Sequence, residues 1–242
     1  VNRSEHSDPT TNEPADATDI EKLIITGDQL TDLPAEWPVT ERHLLARGAI
    51  SSFVAETVLT PDGEALERQF TLHPGAVGIL AMDDQERVAL VRQYRHAVRH
   101  RLVEPPAGLL DVDGEDYVSA AQRELAEEVG LAASDWRVLA EEFTSPGGLA
   151  EGMRMFLARG LAEAAAPDGF VKHGEEAHMD TVWASLDDLV EGVLAGRLHS
   201  PTLITGVLAA WAAKTRDGFD ALRPADAPWP AREESLERQT RY

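Results

Sequence analysis

Glu124, Glu127 and Glu128 stand three and four residues apart in a segment, 116–129, whose apolar spacing predicts a helix. Side chains so spaced share one face at roughly 5 to 6 Å between Cβ atoms. Three carboxylates that close oppose one another's ionisation unless a cation lies between them. A divalent cation is the economical answer, because hard oxygen ligands suit Mg²⁺, which neutralises phosphate and activates water. An acidic helix face is more commonly plain solvated surface. Three features set this one apart: Arg123 lies beside the cluster, Glu115 stands at the helix start where the macrodipole favours a carboxylate, and a loop opening at Gly108 allows a ligand close approach.

From Glu115 onward the residues resemble the Nudix box at every specified position: Glu115, seven residues, Arg123-Glu124, Leu125, one residue, Glu127-Glu128, one residue, Gly130 and Leu131. The departure is upstream, where six residues rather than five separate Gly108 from Glu115, which leaves the loop geometry open. The resemblance implies an α/β fold, an α/β/α sandwich on a mixed sheet with a small N-terminal antiparallel hairpin subdomain. It further implies that Glu124, Glu127 and Glu128 hold Mg²⁺ or Mn²⁺, two or more ions per site, with Glu128 also counted as catalytic, and that Gly108, Glu115 and Arg123 support the loop.

Leu102-Val103-Glu104-Pro105-Pro106-Ala107-Gly108 resembles the entry to the box in ADP-ribose pyrophosphatases. There an alanine carbonyl is a metal ligand, a role that falls on Ala107. Pro146, sixteen residues after Gly130, matches a mark of ADP-ribose specificity, although Pro146-Gly147 also reads as an ordinary turn. Arg95 resembles the family's phosphate-touching arginine and reads equally as a surface cation. Glu104 either contacts substrate or braces the loop. Relatives carry a catalytic glutamate on a later loop, so Glu175 or Glu176 is expected to serve the attacking water. His173 and His178 flank that pair, but two histidines without a third ligand make a poor zinc site. The expected reaction is metal-dependent hydrolysis of ADP-ribose to AMP and ribose 5-phosphate. The alternatives are the same chemistry on a nucleotide sugar, dinucleoside polyphosphate or NADH, and a sensor that binds without cutting. In relatives the N-terminal hairpin joins a homodimer interface, so a dimer is implied.

The elements that must carry these groups are legible in outline. Residues 1–19 are polar and read as a disordered tail. Strands are predicted over 50–58 and 65–72 around the turn residues Thr60-Pro61-Asp62-Gly63, then over 76–82 and 88–94 as buried runs. After two prolines comes the helix ending at Gly130. Strands follow near 136–143, 153–161 and 181–184. Ser185 with Asp188 marks a short helix to about 194, Ser200-Pro201 opens one through 211, and 217–242 reads as mostly irregular. The domains expected are residues 20–73, a β subdomain suited to dimerisation; 74–214, the hydrolase; and 215–242, a C-terminal tail.

The 43 acidic against 22 basic residues give a formal charge of -21, which argues against a nucleic-acid partner. An acidic protein can handle a small polyphosphate by binding divalent cations first, although an acidic surface more commonly serves plain solubility. Cysteine is absent, so thiolate sites and disulfides are excluded. No run is long and apolar enough for a membrane span or a signal peptide, and a cytoplasmic location is expected.

Overall fold

The computed structural model describes residues 24–165, 174 and 176–239; the predicted tail 1–19 lies outside them. Residues 24–36 form a separate unit with one 3-10 turn, Gly27–Gln29. From residue 37 on, the chain runs β1 (Val39–Arg47), β2 (Ser52–Leu59), β3 (Ala65–Leu72), β4 (Ala76–Met82), β5 (Arg87–Arg95), β6 (His100–Glu104), β7 (Ala107–Leu109), α1 (Tyr117–Val129), β8 (Leu131–Phe143), β9 (Leu149–Ala150), β10 (Gly152–Glu163), β11 (Asp180–Ser185), α2 (Leu186–Leu194), α3 (Pro201–Thr215), β12 (Arg223–Pro224) and α4 (Pro230–Gln239).

β4 is apolar throughout and buried at every position because both its faces are covered. Ala76, Leu80 and Met82 point to a core shared with Leu186, Leu189, Leu203 and Val207 of α2 and α3. Val77, Ile79 and Ala81 point to the opposite core, against Ala120, Ala121 and Leu125 of α1. The period of two in β4 therefore separates the helices into layers on either side of a mixed sheet. Met155 fits between the sheet and α3 because Gly78 and Gly206 carry no side chain; a Cβ at Gly78 would lie 2.3 Å from its sulfur.

The main sheet runs β11-β5-β4-β10-β8-β12, with β4 and β10 parallel. β4 meets β5 only at Ala81 and Met82, then turns to β7, while β5 pairs with β6. The sheet thus splays, and β6 and β7 bring Glu104 and Ala107 to the opening. A second sheet has the order β1-β2-β3-β9, where β3 and β9 run parallel in the register Thr71↔Leu149 and Leu72↔Ala150.

Four elements depart from expectation. β1 is exposed along almost all its length, and its Leu44, Leu45 and Ala46 stand side by side, so it has no apolar alternation to reveal it. β6 and β7 are short and flank two prolines. The region 217–242, expected to be irregular, holds α4 over Pro230–Gln239. Pro230 suits the first turn of a helix, and the segment is anchored by buried Trp229 and Arg232, the latter a cation that apolar periodicity does not count.

Candidate active site

α1 forms where the sequence places its punctuation. The Asp116 carboxylate accepts hydrogen bonds at 2.9 Å from the Val118 and Ser119 amides, and the Ser119 hydroxyl donates to it at 2.7 Å. Gly130 ends the helix with φ 68°, a left-handed conformation suited to glycine, and its N–H reaches the Ala126 carbonyl at 3.1 Å. Ala121 and Leu125 are wholly buried against β4, with Val118 and Val129 packed beside them. This face fixes the rotation of the helix and so aims the glutamates.

The Glu124 side chain lies on the backbone of Gly108, where a Cβ would stand 2.0 Å from the Glu124 carboxyl carbon. Glu128 accepts the Ala107 amide hydrogen at 3.0 Å. Helix and strand β7 are therefore joined through two of the three glutamates. Arg123 donates to Glu115 through Nε at 3.0 Å and Nη2 at 2.9 Å, a bidentate pair. Its Nη1 reaches Glu124 at 2.5 Å and Glu127 at 3.4 Å. The Glu115 hydrogen bonds raise the Arg123 pKa; burial opposes this, and the charges of Glu124 and Glu115 add to the rise. The extra loop residue is taken up in a turn in which the Glu115 amide bonds the Val112 carbonyl at 3.2 Å and Gly114 adopts φ 78°. Glu115 still meets Arg123.

At the splayed end of the sheet, Arg95 donates to Glu104 through Nε at 2.9 Å and Nη2 at 2.8 Å. This pair, Ala107, Gly108 and the three glutamates border one cavity of about 770 Å³. Six carboxylates and two arginines line it, so a diphosphate entering the cavity meets an excess of negative charge. Among the described residues no three His, Asp or Glu side chains already stand as a metal cage, since the guanidinium of Arg123 occupies the position between Glu124 and Glu127. The donor set itself, carboxylates beside a strand backbone, is the hard-oxygen chemistry of a small divalent cation.

Other predicted residues fall elsewhere. Pro146 sits exposed in a turn where the Ser145 carbonyl accepts the Gly148 and Leu149 amides, and it is not among the residues bordering the cavity. Glu175 and His173 lie outside the described residues, as does the side chain of Glu176, whose backbone opens the 3-10 turn Glu176–His178. His178 is exposed. His73 and Glu151 border the cavity and were not anticipated, because they meet through strand pairing rather than sequence spacing.

A NUDIX domain family model matches residues 72–202. The chain is 44% identical over 185 residues to an ADP-ribose pyrophosphatase of Mycobacterium tuberculosis, covering 76% of this chain and 87% of that protein. It is 37% identical over 115 residues to an ADP-ribose pyrophosphatase of Bacillus subtilis, covering 48% of this chain and 62% of that one. A crystal structure of an ADP compounds hydrolase superposes with a TM-score of 0.63 at 18% identity, over 78% of this chain and 99% of the other. That last likeness concerns the fold.

Proposed function

The chain belongs to the Nudix family, and from that premise we propose that it hydrolyses ADP-ribose to AMP and ribose 5-phosphate. The observation that carries the reading is that Glu124, Glu127 and Glu128 border the same cavity as Ala107 and the Arg95–Glu104 pair. The substrate is the one named for the two bacterial relatives.

In this reading the carboxylates of Glu124, Glu127 and Glu128 and the carbonyl of Ala107 hold Mg²⁺ or Mn²⁺, with two or more ions per site. When bound, such ions neutralise the diphosphate and lower the pKa of water. Arg123 gives up Glu124 and Glu127 and keeps its bidentate partner Glu115, and so holds the loop in place. Arg95, held by Glu104, donates to a phosphate oxygen. Glu175 or Glu176 accepts a proton from the attacking water. Its oxygen bonds to one phosphorus, the bond from that phosphorus to the bridging oxygen breaks, and the second phosphate departs. Pro146 acts indirectly, by stiffening the turn that leads to Glu151.

A homodimer through the N-terminal sheet is part of the proposal. Its support is the place of β1 at the end of its sheet among the described residues and the exposure of Leu44, Leu45 and Phe53 on that sheet.

The test is AMP release from ADP-ribose with Mg²⁺, with and without EDTA, beside GDP-mannose, a dinucleoside polyphosphate and NADH. EDTA-sensitive release that favours ADP-ribose is expected. Preference for another member would reassign the substrate, and no release from any by the folded protein would reassign the chain to a binding module.

A further inference from the structure

His73 and Glu151 have no part in the scheme above, yet both border the cavity. Their meeting follows from the parallel ladder of β3 and β9. Thr71 pairs with Leu149 and Leu72 with Ala150, so the next residues on each strand are His73 and Glu151. His73 Nδ1 stands 3.0 Å from Glu151 Oε1, and the two side chains are 17% and 16% exposed. The Gly75 amide also points at Nδ1, at 3.2 Å. One nitrogen cannot donate to the first and accept from the second. The ionised carboxylate offers the stronger, charge-assisted bond, so Nδ1 carries the proton. In the neutral ring Nε2 is then an acceptor, and it has no hydrogen-bond partner among the described residues.

Glu151 is itself held on two further sides. The Thr144 hydroxyl donates to Oε2 at 2.6 Å. Behind it lies Arg232 of α4, which is fully buried. The Arg232 side chain fits where Gly75 and Gly152 lack Cβ atoms; these would fall 2.6 Å from its Nη2 and 2.7 Å from its Cδ. Nη2 donates to the Pro74 carbonyl, while Nε and Nη1 have no hydrogen-bond partner among the described residues. As packing alone, a half-satisfied buried cation is a poor choice, since an apolar side chain of similar length fills such a slot at less cost. Beyond its bond to Pro74, the cation supplies a field on Glu151. Burial pushes the Glu151 carboxyl up, but the hydrogen bonds from His73 and Thr144 and the charge of Arg232 bring it below the usual range.

We propose that His73 is a further substrate-binding residue whose Nε2 accepts a hydrogen bond from a ribose hydroxyl of the substrate, and that Glu151 and Arg232 are positioning residues that fix its ring. The proposal rests on ADP-ribose being the substrate. A carboxylate that sets the tautomer of an imidazole facing a cavity is a recurrent way to aim one ring nitrogen at a ligand.

The experiment compares wild type, H73A, E151Q, R232M and the doubles H73A/E151Q and H73A/R232M for ADP-ribose turnover, with thermal melting to establish that each is folded. H73A should lower kcat/KM about tenfold, chiefly through KM, as expected for one lost hydrogen bond to substrate. E151Q and R232M should shift KM in the same direction, and neither double should be worse than H73A alone. With ADP-ribose analogues deoxygenated on one ribose or the other, one analogue should abolish the H73A penalty. If R232M does not fold, the cycle of His73 with Glu151 carries the same test. A wild type that releases no AMP would overturn the substrate reading before any variant is compared. With an active wild type, an H73A within twofold of it, doubles whose penalties multiply, or a penalty unchanged by both analogues would overturn this inference.

Discussion

The carboxylate arm of Glu124 rests directly on the backbone of Gly108, leaving no room for even one methyl group between helix α1 and strand β7. Gly108→Ala must therefore push Glu124 out of line with Glu127 and Glu128. Displacing a reacting-site group by about 1 Å costs on the order of 100-fold in rate. A loss of about that size in kcat, with a melting temperature close to wild type, is expected from steady-state kinetics and calorimetry.

Glu128→Gln separates charge from shape. The glutamine oxygen can still accept the Ala107 amide hydrogen that Glu128 accepts at 3.0 Å, so the contact between helix and strand persists. The negative charge is gone. Turnover should fall by about 100-fold or more, and the Mg²⁺ concentration for half-maximal activity should rise. Near wild-type activity would remove Glu128 from the proposed ligands.

Leu125→Ala tests what aims the glutamates. Leu125 is fully buried between α1 and β4, one residue from Glu124. Truncation should cost about 2 to 5 kcal/mol of stability. Denaturant unfolding reads this directly, and activity per folded molecule should fall too because the helix loses the packing that sets its rotation.

Acid should weaken the protein partly through Glu151. Its carboxyl sits below its ordinary value of 4.5 in the folded state. A depressed folded pKa gives stability that is fully present above that ordinary value and lost as pH falls through the lower folded one. The stability gap between wild type and Glu151→Gln should be constant at neutral pH and shrink below about pH 4.5. Urea unfolding of both proteins across a pH series checks it; a gap that widened in acid would contradict the pairing with His73.

How much of this was legible in the sequence depended on whether a feature is local. Asp116 and Gly130 mark the ends of α1 by their own chemistry, and the spacing of Ala121 and Leu125 gives its buried face. The strands over 65–72 and 76–82 appear at the expected residues. The meeting of His73 with Glu151 has no such signature. It depends on residues 71–72 pairing with residues 149–150, a contact between segments about 78 residues apart that no local window of sequence contains. The 144–151 loop drew notice through Pro146, while its cavity residue is Glu151, five positions on. α4 escaped because its anchors are one tryptophan and one buried arginine in an otherwise polar stretch.

The place of Arg232 also orders events during synthesis. A chain leaving the ribosome builds its N-terminal parts first, so both sheets and α1 are available before residue 232 emerges. The gap at Gly75 and Gly152 stays open until then. The nascent protein thus owns every glutamate of its box helix well before it owns the side chain that closes the wall behind His73 and Glu151, and maturation of the pocket waits on a helix translated after both sheets.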